Sequence, residues 1–274
     1  MSVGAKQINQ ASIAQAETMK PPLKWAGGKR WLVPHLRPIW KGHLNKRLVE
    51  PFCGGLAVTL GLNPADALLS DINVHAVNFY RWLKKGLQIR ILMQNERDLY
   101  YQYREEFNEL IDAGKENSHK AAELFYYLNR TGYNGLCRFN KDGKFNVPFG
   151  QHTRINYISN FCSYAEAMQG WTLTNGDFAE LAIKASDFIY ADPPYDVEFR
   201  QYAKEGFSWQ DQIRLAEWLA SHTGPVVLSN QATDRIISLY KSLGFQLEFL
   251  EAPRMISCTG DRTKTKEVLA VKGI

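Results

Sequence analysis

One short segment constrains the fold of this chain more than any other. Residues 187–191, Asp-Phe-Ile-Tyr-Ala, form an apolar, aromatic run typical of a buried strand, and Asp192-Pro193-Pro194-Tyr195 ends it abruptly. In an α/β protein such a strand leaves its last side chains at the carboxyl edge of the sheet, where ligands bind. The segment predicts a site in which a carboxylate, carbonyl groups and an aromatic ring hold a planar molecule with an amino group. These residues alone leave open a Pro-Pro turn closed by a packing tyrosine.

Length and composition describe an ordinary globular protein. The chain has 274 residues, 45% of them hydrophobic, enough for one substantial α/β domain with an insertion. Apolar stretches are shorter than a membrane span, and residues 1–20 lack the features of a signal peptide, so we expect a cytoplasmic protein with a disordered tail over residues 1–20. Four unpaired-looking cysteines and six scattered histidines predict reduced thiols and no metal site.

The positive charge of the chain indicates a polyanionic partner, although only weakly. The formal net charge is +5 at neutral pH, and many basic proteins bind no nucleic acid. The basic residues form two clusters, Lys20, Lys24, Lys29 and Arg30 near the start and Arg254, Arg262, Lys264 and Lys266 near the end. Each cluster taken by itself is equally compatible with a solvated loop.

A nucleotide-binding unit is predicted in the first third of the chain. Residues 47–52 are expected to form a strand that runs into Cys53-Gly54-Gly55 and a short helix, and residues 67–71 form the next strand, ending in Asp71. The glycines allow the backbone to approach a ligand, and Asp71 can accept hydrogen bonds from ribose hydroxyls. The full G-x-G-x-x-G pattern is absent.

Residues 24–30, Lys-Trp-Ala-Gly-Gly-Lys-Arg, invite comparison with a phosphate-binding loop but do not match one. A Walker A motif needs a glycine in place of Leu23 and a serine or threonine in place of Arg30. A lysine and a tryptophan that flank flexible backbone suit a ligand carrying both a carboxylate and an aromatic ring. The alternative is a Gly-Gly turn beside a packing tryptophan.

Between these motifs the α/β pattern is interrupted by helices, which predicts an inserted subdomain. Amphipathic helices are expected at residues 76–85, 99–110 and 119–128. A hairpin is expected in which residues 136–140 and 144–147 flank Lys141-Asp142-Gly143. Further strands are expected at residues 171–174, 188–192, 226–229 and 245–250, and a helix capped by Ser208 at 209–220.

Taken in order, the motifs resemble those of the Dam-type, D12-class DNA adenine-N6 methyltransferases of the α group. The resemblance spans nearly the whole chain from Leu23 onward. Its pieces are residues 23–29, 49–52, 70–73, 129–138, 145–150 and 192–195. It implies an α/β class I S-adenosylmethionine-dependent methyltransferase fold, Rossmann-like with a mixed seven-stranded sheet. Residues 21–73 and 160–274 would form the catalytic domain, and residues 74–159 an inserted helical and β-hairpin domain for target recognition.

The resemblance also implies an activity, namely methyl transfer from S-adenosyl-L-methionine to adenine N6 in double-stranded DNA, within GATC and with base flipping, by a monomer. The implied catalytic residues are Asp192, Pro193, Pro194 and Tyr195. The implied cofactor-binding residues are Trp25, Ala26, Gly27, Lys29, Glu50, Phe52, Asp71, Asp177, Phe178 and Asp192. The implied DNA-binding residues are Lys24, Arg130, Tyr133, Asn134, Leu136, Arg138, Asn146 and Pro148.

One departure and two alternatives accompany this interpretation. Gln151-His152 stands where the family pattern has Arg-Tyr after Pro-Phe-Gly, which predicts a relaxed or shifted preference at an outer base. The first alternative is an adenine methyltransferase acting on RNA or on another DNA sequence. The second is a non-catalytic DNA-binding relative that kept the recognition hairpin.

Overall fold

One seven-stranded sheet organises the molecule. The computed structural model describes residues 19–196, 206–252 and 265–274. The strands are β1 (Leu48–Glu50), β2 (Ala67–Asp71), β3 (Trp171–Asn175), β4 (Phe188–Ala191), β5 (Val226–Gln231), β6 (Gln246–Ala252) and β7 (Thr265–Lys272). They lie in the order β3-β2-β1-β4-β5-β7-β6. All pairings are parallel except those of β7, which is antiparallel to both β5 and β6. The predicted mixed seven-stranded sheet is confirmed.

Alternation along the strands divides the core into two layers. Leu48, Leu69 and Tyr190 belong to one buried cluster, whereas their neighbours Val49 and Leu68 belong to the other. Successive side chains of a strand point to opposite faces, so each strand contributes to both layers. Because both faces are covered, the strands read as continuous apolar runs, which is why sequence patterning locates β1, β2, β4 and β5.

Eight helices are present in the described part of the chain: α1 (Val33–Lys41), α2 (Ala57–Leu62), α3 (Val74–Lys84), α4 (Arg97–Asp112), α5 (His119–Thr131), α6 (Cys162–Ala167), α7 (Trp209–Ser221) and α8 (Asp234–Ser242). The three predicted amphipathic helices correspond to α3, α4 and α5. Side-chain caps explain where helices begin: the Asn73 side chain accepts from two amide groups at the start of α3, and Ser208 forms a capping box with Asp211 on α7. The predicted cap at Ser208 is confirmed.

The predicted hairpin is present, but its arms do not form strands. They pair only at isolated bridges, including one between Phe139 and Phe145 and one between Gly132 and Phe149. Side chains of α4 bond to backbone groups of the second arm that point away from the first arm, while the Asn140 and Asn146 amides bond across the hairpin to Lys144 and Arg138. Asn108 donates to the Phe145 carbonyl at 3.2 Å and accepts from its amide at 2.8 Å, and the Tyr100 hydroxyl donates to the Val147 carbonyl at 2.8 Å.

Several further expectations meet the structure only in part. Cys53, Cys137 and Cys162 are free thiols. Burial lowers the pKa of His75 to about 4, so its ring is neutral, and it stacks on Phe139 with ring centroids 4.6 Å apart. Among the described helices, none combines the length and apolar composition needed to cross a bilayer. Residues 1–18 of the predicted tail, the cysteine at 258 and the basic residues at 254, 262 and 264 lie outside the described residues.

A buried ion pair fixes the turn that precedes β4. Arg47 donates from Nε to one carboxylate oxygen of Asp187 at 3.1 Å and from Nη2 to the other at 2.7 Å. Asp187 is 1% exposed and also accepts from the Lys184 amide at 2.6 Å. This pair holds β4 in register with β1, so it sets where the Asp192 turn emerges.

We expect Asp187→Ala to lower the free energy of unfolding by about 3 kcal/mol, because it leaves the Arg47 guanidinium without its partner in a largely buried place. Urea unfolding measures the change. The matched control is Glu106→Ala, which breaks the exposed ion pair with Lys120 (3.1 Å) and should cost less than about 1 kcal/mol. Equal losses for the two variants would contradict this account.

Candidate active site and nucleic-acid interface

The carboxyl edge of the sheet collects the functional side chains. Asp71 ends β2, Asp192 follows β4, and Glu50 ends β1 between them. The strand order reverses between β1 and β4, so this edge contains a topological switch point, the usual place for a ligand crevice. The parallel strands β2, β1 and β4 thus bring these three carboxylates to the same edge of the sheet. Among the described residues, no three His, Cys, Asp or Glu side chains are grouped so as to hold a metal ion.

Asp71 holds the glycine turn that follows β1. One carboxylate oxygen accepts from the Gly54 amide at 2.9 Å and the other from the Asn73 amide at 2.9 Å. Burial raises the pKa of Asp71, and these two amides oppose the shift. Trp25 lies against the same turn: a Cβ on Gly54 would come within 2.7 Å of the indole nitrogen, and one on Gly55 within 2.8 Å of the Trp25 Cβ. Close approach of the indole explains both glycines.

Lys29 joins two carboxylates at the centre of the site. Its Nζ lies 2.9 Å from Asp192 Oδ1 and 3.9 Å from Glu267 Oε1, and the residue is only 4% exposed. Ser229 of β5 donates to the same Asp192 oxygen at 2.8 Å. Burial raises the pKa of Asp192, and the Lys29 charge partly offsets that shift. The carboxylate is therefore fixed in place by two donors.

The Pro-Pro turn is held from behind. The Gln212 side chain on α7 donates to the Pro194 carbonyl at 2.8 Å and accepts from Asn230 at 3.0 Å. Within the described residues no donor reaches the Pro193 carbonyl. The Tyr195 hydroxyl donates to Glu267, and Lys29 Nζ lies 4.4 Å from the centroid of the Tyr195 ring. The Asp192 carboxylate and the Tyr195 ring thus lie on either side of the Lys29 ammonium, and the catalytic roles of residues 192–195 stay predictions.

The aromatic residues expected near a nucleobase form a small cluster. The rings of Phe52 and Phe178 lie 5.8 Å apart; Phe178 is 3% exposed, and Phe52 is half-buried. Arg214 of α7 stands 4.2 Å above the Phe178 ring and forms two 2.7 Å hydrogen bonds with Asp177. Both carboxylate oxygens of Asp177 are thus engaged by a residue that sequence reasoning missed, and the cofactor roles of Asp177 and Phe178 stay predictions.

Glu50 lies deeper than the other carboxylates. It is 3% exposed, and the Thr59 hydroxyl of α2 donates to it. Burial raises the pKa of Glu50 to about 8, an effect that Thr59 opposes and that Asp192 and Asp71 reinforce. Glu50 is therefore mostly protonated at neutral pH. The predicted loop residues Ala26 and Gly27 are exposed.

Lys24 connects this edge to the segment before the hairpin. The side chain of Asn129 on α5 accepts from the Lys24 amide and donates to the Lys24 carbonyl, both at 2.8 Å. The Lys24 ammonium donates to the Arg130 carbonyl at 3.1 Å. Burial, reinforced by the charge of Arg130, lowers the pKa of Lys24. Gly135 has a φ of +62°, and a Cβ there would lie 2.4 Å from the Lys24 side chain, so Lys24 packs directly on this backbone.

The predicted DNA-contacting side chains fall into two groups. Tyr133 (51% exposed), Asn134, Arg138 and Pro148 lie exposed on the turn and hairpin, with Leu136 and Asn146 half-buried among them. Asn146 orients Arg138, whose Nε donates to the Asn146 side chain at 2.8 Å and whose Nη2 donates to its carbonyl at 3.2 Å. Arg130, by contrast, donates from Nε to the carbonyl of Asn156 at 2.6 Å and so secures the segment after the hairpin.

Lys144 has a different environment from the one that its place beside the hairpin tip suggests. It pairs with Asp112 and donates to the Asn108 carbonyl at 3.3 Å, both on α4. A lysine beside a hairpin tip would suit a phosphate contact, but the Lys144 side chain ties the hairpin to α4. Lys141, exposed at the tip, is the better candidate for that contact.

Sequence reasoning missed four side chains that shape the site: Ser229, Gln212, Arg214 and Glu267. None belongs to a motif, because each acts through a contact made by distant segments. The capping signal at Ser208 locates α7, which carries Gln212 and Arg214. The signal does not tell which residues of other segments these two side chains contact.

The sheet order with an antiparallel seventh strand, and the Asp-Pro-Pro-Tyr turn beside its switch point, are those of a class I methyltransferase. The family model of the D12 class N6 adenine-specific DNA methyltransferases matches residues 25–256. The retron Ec67 DNA adenine methylase of Escherichia coli is 36% identical, over 93% of this chain and 92% of that protein. DNA adenine methylases of Vibrio cholerae and Escherichia coli K12 are 36% and 34% identical, each over 91% of this chain and 94% of theirs.

The chain therefore belongs to the D12 class of N6 adenine-specific DNA methyltransferases. It is an enzyme, its substrate is DNA, and its reaction methylates adenine at N6. The resemblance stated from the motifs is confirmed, and the alternative of a non-catalytic relative is not supported.

We expect Glu50→Gln to stabilise the protein increasingly as the pH rises. The folded-state pKa of Glu50, about 8, exceeds its ordinary value of 4.5, so between these values folding takes up a proton and the stability contributed by this group is lost as the pH rises. Glutamine takes up no proton. The advantage of the variant in unfolding free energy should grow by about 1 kcal/mol per pH unit between about pH 5 and pH 8. Urea titrations across this range measure it, and parallel curves for the two proteins would show that Glu50 is ionised in the folded state.

Proposed function

We propose that the protein uses S-adenosyl-L-methionine to methylate adenine N6 within GATC in duplex DNA, acting as a monomer on a base flipped out of the helix. The observation that carries this proposal is the Asp192 carboxylate, held by Lys29 at 2.9 Å and Ser229 at 2.8 Å beside the Pro193 carbonyl. A carboxylate and a carbonyl from adjacent residues can both accept hydrogen bonds from the adenine amino group, which must become tetrahedral to react.

The residues at the sheet edge fit the methyl donor that we propose. Lys29 supplies a cation for its carboxylate, Asp71 an acceptor for ribose hydroxyls, and Phe52 a ring for its adenine. The Trp25 side chain packs closely on the backbone of Gly54 and Gly55, so it borders the glycine turn at this edge of the sheet. When bound, S-adenosylmethionine supplies a methyl group activated by a positively charged sulfur.

The protein's own residues make the amine reactive. The lone pair of adenine N6 is delocalised into the ring, so the amine is a poor nucleophile. Hydrogen bonds donated by its two N–H groups to the Asp192 carboxylate and the Pro193 carbonyl favour tetrahedral geometry and stabilise the positive charge that develops on nitrogen. Ser229 and Lys29 keep the carboxylate oriented for this, and Gln212 holds the turn by its Pro194 carbonyl.

Base flipping is proposed because N6 is committed to pairing inside the duplex, whereas the acceptors lie in a recessed turn. The Tyr195 ring offers a stacking surface for the extruded adenine. Tyr133 and Asn134, exposed on the turn after α5, are placed at the protein surface where they could fill the space that the base leaves.

Sequence recognition is assigned to residues 74–159. Arg138 carries the planar fork that matches the O6 and N7 acceptors of guanine in the major groove, and Asn146 holds that fork in a fixed orientation. Leu136 and Pro148 provide apolar surface for a thymine methyl group. The GATC target follows from the family resemblance, and Gln151-His152 is where a shifted preference at an outer base would arise.

The activity is tested by incubating duplex oligonucleotides with the protein and S-adenosylmethionine and identifying N6-methyladenine in the digest. We expect Asp192→Asn, which keeps the shape but removes the charge, to slow single-turnover methylation by at least about 100-fold while DNA binding persists. The control Asp66→Asn alters an exposed carboxylate just before β2 and should leave the rate unchanged. A near-normal rate for Asp192→Asn would refute the mechanism.

A second comparison separates reading a base from contacting a phosphate. Arg138→Ala should cost about 1–3 kcal/mol on the preferred site and much less on sites altered at one particular base pair. Lys141→Ala, at the exposed tip of the same hairpin, should instead weaken binding to all sequences about equally and reduce its salt dependence. Methylation rates on every single-base variant of GATC at fixed salt provide the test. A uniform slowing by Arg138→Ala would mean that Arg138 contacts the DNA backbone.

A further inference from the structure

Glu267 is a buried carboxylate that belongs to none of the family motifs described above. It lies on β7, opposite Gln231 of β5 on one side and Leu250 of β6 on the other. The residue is 5% exposed. The next residues of the strand, Val268, Leu269 and Ala270, are buried in the core. Glu267 therefore places a carboxylate beside buried apolar side chains.

The contacts of Glu267 enclose the ring of Tyr195. Its Oε1 accepts the hydroxyl hydrogen of Tyr195 and lies 3.9 Å from the Lys29 ammonium. That ammonium in turn lies 4.4 Å from the centroid of the Tyr195 ring and 2.9 Å from Asp192. The ring is therefore held at its hydroxyl end by Glu267 and on one face by a lysine that Glu267 helps to hold.

Burying this carboxylate is costly. Its Oε2 is inaccessible and has no hydrogen-bond partner within the described residues, and a buried acceptor without a partner destabilises the fold. Burial raises the pKa of Glu267, and Lys29 and Tyr195 oppose the shift. An apolar side chain at this position would avoid the cost, so the cost points to a role in the site.

We propose that Glu267 is a positioning residue for methyl transfer: it fixes the Tyr195 ring against which the adenine stacks and steadies Lys29 beside Asp192. This inference rests on the proposed function. It assigns to β7, a strand outside the motif-bearing loops, the orientation of the stacking ring.

The proposal is tested with Glu267→Ala, Tyr195→Phe and the double variant. Tyr195→Phe keeps the ring and removes only the hydroxyl. Each single variant should slow single-turnover methylation by roughly 10-fold or more, and the double variant should be no slower than the slower single one, since both remove the same contact. Glu267→Gln, which keeps an acceptor for the hydroxyl and loses the charge beside Lys29, should retain a rate between Glu267→Ala and wild type.

A second readout follows the base instead of the reaction. With 2-aminopurine at the target position, stacking on Tyr195 quenches fluorescence, so Glu267→Ala should give brighter complexes although its affinity for DNA stays within about twofold. Glu248→Gln, an exposed carboxylate on the adjacent strand β6, is the matched control and should behave as wild type in both assays.

The outcomes separate this inference from the function on which it rests. Rates that multiply in the double variant, or wild-type fluorescence and rate in Glu267→Ala, would overturn the positioning role while leaving adenine methylation intact. Loss of S-adenosylmethionine binding in Glu267→Gln, with unchanged fluorescence, would also overturn it and place Glu267 in the cofactor pocket. Absence of adenine methylation by the wild-type protein would refute the proposed function itself, and the positioning role with it.

Discussion

The ammonium group of Lys29 is the interaction on which the site depends. Lys29 lies before α1 and is buried. Its ammonium group pairs with Asp192, which follows β4, and lies near Glu267 on β7. Two carboxylates buried this close together would repel each other, and one would take up a proton. A single cation between them relieves that repulsion and leaves the cluster with one excess negative charge when all three groups are ionised. Such a cluster suits the methyl transfer that we propose, in which a positive charge develops on the adenine nitrogen.

Around this centre, hydrogen bonds from uncharged side chains provide rigidity. Ser229, Gln212 and Asn230 each use their polar atoms on the turn or on one another, so α7 and β5 support the Asp-Pro-Pro-Tyr segment from two sides. Donors and acceptors that are already oriented need no rearrangement when charge develops. The inserted residues 74–159 are tied to the same centre, because Lys24, which the Asn129 side chain holds by two hydrogen bonds, lies only five residues before Lys29.

The sequence predicted what depends on local patterns and missed what depends on distant pairing. Apolar runs such as residues 67–71 indicate buried strands, and parallel strands end at the same edge of a sheet. The placement of Asp71 and Asp192 at one edge could therefore be predicted. The position of β7 was not predicted, since its short apolar run after a basic stretch of sequence carries no alternation, and Glu267 was therefore missed. Arg214 was missed because its partner Asp177 lies 37 residues away and no spacing rule connects them.

His152 shows how a departure from a family pattern can be absorbed into the structure. Its Nε2 lies 3.3 Å from the Lys24 ammonium and 3.1 Å from the Gly132 carbonyl. One ring nitrogen faces both a donor and an acceptor, and an imidazole nitrogen can satisfy only one of them at a time. His152 is therefore half-buried in contact with Lys24, whereas the side chains of Tyr133 and Arg138 are exposed. His152 thus contacts Lys24, and the DNA contacts of the exposed Tyr133 and Arg138 stay predictions.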